Sequence, residues 1–316
     1  MEFFGPLLYL LGGFAILIIG GESLVKAAIS LAVRLKVSPT VIGLTVIAAG
    51  TSAPELMTSL MAAYQGAPDI ALGNVVGSNI FNILAIIGIS ALIKVNTVNK
   101  SIASVELPSL ILFSLLMYFL VSDGFLTRTD GFILVLVLST YLIYAIRRAR
   151  KTTTSPEDLE DMTVLESPKW DIGHLIVGCL ALTGGAHLAL QGGIELGKLA
   201  GLSDRVIGIT IISIGTGLPE LATSAIAAYK GRNDIAIANV IGSNIMNTLA
   251  ILGFTASIHP ITASKEIITR DIYFMIAATV ILLPLIYLRK YRLGKSSGFT
   301  LLSTYIAYVA YILLAT

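Results

Sequence analysis

Two short segments, GTSAPE at 50–55 and GTGLPE at 215–220, place a proline and a glutamate inside long apolar stretches. A carboxylate near the centre of a bilayer is costly unless it pairs with a charge, binds a cation or carries a proton. Neither stretch contains a Lys or Arg. The segments therefore predict two anionic positions, Glu55 and Glu220, that bind a metal cation. Two protonated glutamates hydrogen-bonded into a helix interface are the alternative.

The prolines indicate how backbone oxygens join the two carboxylates. Pro54 and Pro219 each lack an N–H and clash with the preceding turn, so each helix should break just before its proline. Irregular backbone at membrane depth is tolerated where it lines a site. An all-oxygen site of this kind suits Ca²⁺ or Na⁺ and not Zn²⁺ or Cu²⁺. A packing kink is the alternative reading. The carbonyls expected to be released belong to Ala48, Thr51, Ser213 and Thr216.

The following helices carry a second repeated pattern, GNVVGSNIFN at 73–82 and ANVIGSNIMN at 238–247. Within each pattern the serine and the last two asparagines fall within about one helical turn, so some of them share a face. Hydroxyl and amide oxygens are neutral cation ligands, and we expect Ser78, Asn82, Ser243 and Asn247 to serve in this way. For Asn79 and Asn244 we favour helix capping or interhelical hydrogen bonds.

The composition describes the surroundings of these residues. Of the 316 residues 55% are hydrophobic and 13% are charged, and the mean hydropathy is +0.87. Soluble domains carry about 25% charged residues, so this is an integral membrane protein. The net charge of +2 and the lack of a long basic tract argue against nucleic-acid binding.

Stretches of about 20 apolar residues predict ten membrane-spanning helices and an all-α fold. The charged segment 148–168 separates them into a first five-helix repeat, 1–147, and a second, 169–316. Helices 2 and 7 are the ones expected to break. The ten predicted spans are 6–32, 39–65, 69–93, 103–121, 129–147, 171–197, 204–230, 234–257, 270–288 and 298–315.

The two sets are copies of each other. Shifted by 165 positions, residues 43–88 align without a gap on 208–253, and about 28 of the 46 pairs are identical. Because five spans is an odd number, the second copy must enter the membrane with inverted orientation. With both termini outside, about 15 Lys/Arg fall in cytoplasmic loops and about 5 in external ones, as the positive-inside rule requires. This predicts a cell-membrane protein with the 148–168 linker in the cytoplasm.

The paired motifs resemble the two α-repeats of the sodium/calcium exchanger family, and the short linker is similar to that of compact prokaryotic members without regulatory domains. The resemblance implies that Glu55 and Glu220 share a Ca²⁺ ion with backbone oxygens of Thr51 and Thr216. It also implies that helices 1 and 6 slide across the core, with Gly20–Gly21 and Gly184–Gly185 at the contact. The implied sodium ligands are the same groups together with Ala48, Ser52, Ser78, Ser213 and Ser243.

Two positions depart from the family pattern. Some members carry aspartate where this chain has Asn247, and serine is common where it has Gly217. The predicted site therefore has two negative charges instead of three and lacks one hydroxyl. One Ca²⁺ balances two carboxylates, whereas three Na⁺ ions fit that charge less well.

The expected function is antiport of Na⁺ against Ca²⁺ by alternating access, with both ions competing for Glu55 and Glu220. A Ca²⁺/H⁺ antiporter using the same glutamates is the alternative, and a passive cation channel is a third possibility. An enzyme is disfavoured, because the sequence has no HExxH motif, no phosphate-binding loop and no nucleophile near a histidine. No cofactor is expected, and the expected partners are the transported ions and the lipid bilayer, with a monomer as the functional unit.

Overall fold

The computed structural model describes residues 3–66, 69–151, 164–201 and 213–315. Within these ranges, eight helices are long and apolar enough to cross a membrane, and a bent helix pair raises the number to nine. The fold is a polytopic bundle of helices. The start of the predicted span 204–230 and the centre of the predicted linker lie outside the described residues.

Twelve helices are numbered here in chain order. The first six are α1 (Phe4–Leu35), α2 (Pro39–Thr51), α3 (Ala53–Tyr64), α4 (Ile70–Ile93), α5 (Ile102–Val121) and α6 (Arg128–Lys151). The second six are α7 (Pro168–Leu199), α8 (Ser213–Thr216), α9 (Leu218–Tyr229), α10 (Asn233–Ile258), α11 (Ile267–Leu288) and α12 (Lys295–Ala315).

Burial separates a central pair of helices from the rest. In the most apolar stretch of α4, 78% of residues are buried, and in α10 the share is 94%. The corresponding shares in α1 and α7 are only 28%. Helices that are apolar all round and buried form the core of a bundle, whereas partly exposed apolar helices face lipid. The α4–α10 pair is therefore the core on which the other helices pack.

The breaks fall at the predicted motifs. The chain bends by 41° between α2 and α3, at Ser52, and an interruption at Gly217 separates α8 from α9. Pro54 occupies the first turn of α3, where the missing N–H has no cost. Pro219 has the same place in α9. Each motif glutamate consequently lies in the first turn of a new helix.

Four two-residue strands were not predicted, because segments this short carry no periodic signal. Asn96–Thr97 (β1) pairs antiparallel with Arg292–Leu293 (β4), and Phe125–Leu126 (β2) pairs antiparallel with Ile261–Thr262 (β3). Each pair joins a loop of one repeat to a loop of the other. The strands thus fix which loops share a face of the molecule.

Helices α1 and α7 pack along their length through glycines. A Cβ atom built on Gly20 would lie 2.9 Å from the Leu182 nitrogen, and one on Gly185 would lie 2.9 Å from the Gly13 oxygen. Both glycines therefore let the two backbones approach. The other members of the predicted pairs differ: Gly21 faces α9, and Gly184 has open space. The sequence assigned both glycine pairs to movement across the core, and it did not predict the direct contact that Gly20 and Gly185 form between α1 and α7.

Candidate functional site

Glu55 and Glu220 are brought together at the centre of the bundle. Their side chains are 1% and 0% exposed, and the two carboxyl groups interact with each other. Among the described residues, neither carboxyl forms an ion pair with a Lys or Arg. Two adjacent carboxylates shielded from water require a cation or protons between them. Their placement agrees with the prediction made from the two motifs.

Four buried carboxylate and amide oxygen atoms of the predicted site residues have no hydrogen-bond partner among the described residues. They are Oε2 of Glu55, Oε2 of Glu220, Oδ1 of Asn82 and Oδ1 of Asn247. Each half of the repeat contributes one carboxylate oxygen and one amide oxygen. A buried acceptor without a donor carries a large desolvation cost, which coordination of a cation would offset. Carboxylate and amide oxygens are the donors that Ca²⁺ and Na⁺ accept.

Hydroxyl groups line the same region. Ser52 donates a hydrogen bond to Glu220 Oε1 at 3.1 Å, across the boundary between the two repeats. The Thr51 hydroxyl lies 3.4 Å from Ser243 Oγ and 3.4 Å from Asn239 Oδ1. Ser78 and Ser243 are buried as well. Ser213 was also predicted to belong to the site, but its side chain lies outside the described part of the chain.

Four asparagines connect α4 to α10. Asn82 Nδ2 donates to Asn244 Oδ1 at 2.9 Å, and Asn244 Nδ2 donates to the backbone oxygen of Asn79 at 3.1 Å. Asn247 Nδ2 donates to Asn79 Oδ1 at 3.2 Å. Asn79 and Asn244 thus form interhelical hydrogen bonds, as their sequence positions predicted. Asn82 and Asn247 use only their nitrogens, so their oxygens remain available.

One expectation about the broken helix needs correction. The Ala48 carbonyl is not released, because it accepts the Ser52 N–H at 3.0 Å and faces the Thr51 hydroxyl at 3.4 Å. The α-helical pattern pairs each carbonyl with the N–H four residues later. A proline at 54 therefore deprives Gly50, and not Ala48, of its donor. One lone pair of the Ala48 oxygen is already in use.

The Phe81 ring lies where a side chain at position 217 would have to be. A Cβ atom built there would lie 2.6 Å from Cδ1 and 2.7 Å from Cε1 of Phe81. Phe81 is 3% exposed and packs edge-to-face on Tyr305, with ring centroids 5.4 Å apart. The ring therefore occupies the space that a larger residue at 217 would take. Ser52, the repeat partner of Gly217, instead directs a hydroxyl at a glutamate.

A crevice of about 330 Å³ reaches this region from one side. It runs between α3, α7 and α8, and its lining includes Ala53, Pro54, Thr58, His187 and Thr216. Pro54 and Thr216 belong to the two motifs, so the crevice is lined by residues of both motif segments. The repeat partners of two lining residues, Leu218 and Thr223, are buried at 8% and 0% exposure. The crevice is therefore present in one half of the molecule and closed in the related half.

Sequence reasoning missed two groups of residues at the site. Asn239 contacts Thr51 and donates to Ser224 at 3.0 Å, and its repeat partner Asn74 donates to Ser59 at 3.2 Å. These asparagines begin the second repeated pattern, so their recurrence was a usable signal. Phe81 had no such signal, because an apolar residue in an apolar helix does not stand out.

The fold and the site together define a polytopic helical membrane protein with a buried cluster of oxygen atoms at its centre. Residues 5–147 and 170–314 match the family model described as sodium/calcium exchanger protein. The chain belongs to the sodium/calcium exchanger family. This is a family of membrane antiporters and not of enzymes.

Relatives of similar length support this assignment. The chain is 40% identical to the protein CaxA of Alkalimonas amylolytica over 295 residues, which covers 91% of this chain and 90% of CaxA. It is 31% identical to the sodium/calcium exchanger MaX1 of Methanosarcina acetivorans, covering 96% and 97% of the two chains. The solved structure of the sodium-calcium exchanger NCX_Mj superposes with a TM-score of 0.83 at 29% identity, covering 96% and 98%.

Proposed function

We propose that this protein exchanges Na⁺ for Ca²⁺ across the cell membrane, with both ions competing for a site built on Glu55 and Glu220. The observation that carries the proposal is the set of four buried unpartnered oxygens, two from carboxylates and two from amides, which come in equal numbers from the two repeats. Ca²⁺ takes six to eight oxygen ligands, and two carboxylates balance its charge. The hydroxyls of Thr51, Ser52, Ser78 and Ser243 and the backbone oxygen of Thr216 complete the proposed ligand set.

The proposed topology has ten spans in two inverted five-helix repeats, with both termini outside and the linker in the cytoplasm. The strand pairs are consistent with it. This topology places β1 and β4 on the cytoplasmic side and β2 and β3 on the external side, and these are the strands that pair. Asn233 also donates to the Val95 oxygen at 2.9 Å, joining two loops that the proposal assigns to the cytoplasm. All site ligands come from one chain, in keeping with a functional monomer.

Alternating access is the proposed transport mechanism. In the proposed topology the crevice beside Pro54 and Thr216 opens to the outside, while the related half is closed around Leu218. Movement of α1 and α7 across the α4–α10 core would close this crevice and open the related half. An ion held by both glutamates would then face the cytoplasm. Because one site serves both ions, occupancy by Ca²⁺ excludes Na⁺ and couples their fluxes.

A second candidate keeps the site and replaces Na⁺ with H⁺. The observation in its favour is Gly217, which leaves the second repeat without the hydroxyl that Ser52 supplies in the first. A carboxylate needs no additional ligand to bind a proton. Proteoliposomes that take up ⁴⁵Ca²⁺ under a pH gradient in Na⁺-free buffer, with no response to a Na⁺ gradient, would establish this candidate.

The direct test is ⁴⁵Ca²⁺ uptake into Na⁺-loaded proteoliposomes. Glu55→Gln and Glu220→Gln should each reduce uptake to background, because the remaining carboxylate cannot balance a divalent ion. Glu266→Gln, which removes an exposed carboxylate elsewhere, is the control and should transport normally. Uptake retained in both site variants would refute the site assignment.

A further inference from the structure

Among the four asparagines that connect α4 to α10, one has a fixed orientation. Asn244 Nδ2 donates to the backbone oxygen of Asn79, and a backbone carbonyl can only accept a hydrogen bond. Reversing the Asn244 amide would place two acceptors against each other. The Asn244 oxygen must therefore face Asn82, and it accepts the Asn82 nitrogen at 2.9 Å. This contact in turn directs Asn82 Oδ1 away from Asn244, where it is buried without a partner among the described residues.

The orientation of the related pair, Asn79 and Asn247, is less strictly determined by its hydrogen bonds. Asn79 Oδ1 accepts from Asn247 at 3.2 Å, while its nitrogen faces Thr248 Oγ1 at 3.0 Å and Met275 Sδ at 3.6 Å. A hydroxyl donates as readily as it accepts, and a thioether sulfur is a weak acceptor. If the Asn79 and Asn247 amides reversed together, Asn79 would donate to the Asn247 oxygen, Thr248 could donate to the Asn79 oxygen, and only the sulfur contact would be lost. The orientation of Asn247 is thus adjustable in a way that the orientation of Asn82 is not.

We propose that Asn244 is a positioning residue that fixes the carbonyl oxygen of Asn82 toward the ion site, whereas Asn79 holds Asn247 through a contact that can reverse. The inference rests on the proposed function and specifies how its amide ligands are held. It has a consequence for the two ligands. Position 247 should accept a carboxylate, because Asn79 can turn its nitrogen toward it. Position 82 should not, because the Asn244 oxygen cannot turn away.

The test compares Asn82→Asp with Asn247→Asp, two nearly isosteric changes that add the same charge to related positions. Equilibrium ⁴⁵Ca²⁺ binding to the purified full-length protein gives the affinity, and thermal unfolding of the ion-free protein reports stability. We expect Asn247→Asp to bind Ca²⁺ at least about threefold more tightly than the wild type, because it adds a carboxylate that Asn79 can accommodate. Asn82→Asp should bind about tenfold more weakly or worse, since it opposes two buried acceptors.

A second substitution examines the reversal itself. Thr248→Val removes the hydroxyl that would donate to a reversed Asn79. Combined with Asn247→Asp it should weaken Ca²⁺ binding about tenfold, while Thr248→Val alone should change it by less than about threefold. A purely structural role of Thr248 would instead lower the unfolding temperature equally in both backgrounds and leave the affinities unchanged.

The outcomes separate this inference from the proposed function. If Asn82→Asp binds Ca²⁺ as tightly as Asn247→Asp, or if Thr248→Val has the same effect in both backgrounds, the positioning role is refuted while the site stands. If the wild-type protein does not bind Ca²⁺ at all, the proposed function itself fails.

Discussion

The two halves of the site are built from nearly the same sequence but have different surroundings. In the first half, Thr58 is exposed to the crevice, and in the second its repeat partner Thr223 is completely buried. Gly21 of α1 lies against α9, whereas its repeat partner in α7, Ala186, lines the crevice. The motif is shared, so the difference comes from how α1 and α7 pack against it. Access to the site is therefore a property of the outer helices and not of the ligand-bearing segments.

The halves also differ chemically. Ser52 donates to Glu220, while at Gly217 the Phe81 ring occupies the related space. In the proposed transport mechanism, movement of α1 and α7 would exchange the open half and the closed half. The difference between Ser52 and Gly217, in contrast, is fixed in the sequence. The half that contains Gly217 should hold a monovalent ion less firmly, because it offers one oxygen fewer.

The largest expected effect comes from giving the second half the missing serine. Gly217→Ser alone should nearly abolish ⁴⁵Ca²⁺ uptake, because its Cβ would lie 2.6 Å from the Phe81 ring and overpacking a core typically costs about 1–3 kcal/mol. Adding Phe81→Met, which copies the repeat partner Met246, should restore uptake and strengthen Na⁺ competition. Wild-type activity in Gly217→Ser alone would show that the ring does not restrict this position.

The second prediction concerns access. In a Cys179→Ala background, which removes the sole cysteine, Thr58→Cys should react with a membrane-impermeant thiol reagent at least about tenfold faster than Thr223→Cys. One side chain faces the crevice and the other is buried. Both changes replace threonine at repeat-related positions, so each serves as the control for the other. Equal labelling rates would mean that the two halves are equally open.

These two predictions also separate the features that could be predicted from the sequence from those that could not. The polytopic helical fold and the burial of Glu55 and Glu220 follow from apolar length and from the two repeated motifs. The Phe81 contact does not, because it joins residues 136 positions apart whose types carry no polar signal. The orientation of the Asn82 amide was equally hidden, since it depends through Asn244 on the Asn79 backbone in another helix. Both features depend on packing between residues that are far apart in the sequence.

The smallest effect is expected for the hydroxyl of the first half. Ser52→Ala should weaken the competition of Na⁺ against Ca²⁺ by about tenfold, the cost of one hydrogen bond to a charged group. Ser114→Ala is a suitable control, because that buried hydroxyl donates only to the Leu110 carbonyl in its own helix at 2.8 Å. An unchanged Na⁺ dependence in Ser52→Ala would remove this residue from the proposed sodium ligands.

Equilibrium ⁴⁵Ca²⁺ binding to the purified protein, measured as Na⁺ is raised at constant ionic strength, tests the central claim most directly. We predict one Ca²⁺ bound per chain, displaced by Na⁺, and no specific binding in Glu55→Gln or Glu220→Gln. Ca²⁺ binding that persists in both variants, or that does not respond to Na⁺, would contradict a shared site on these two carboxylates.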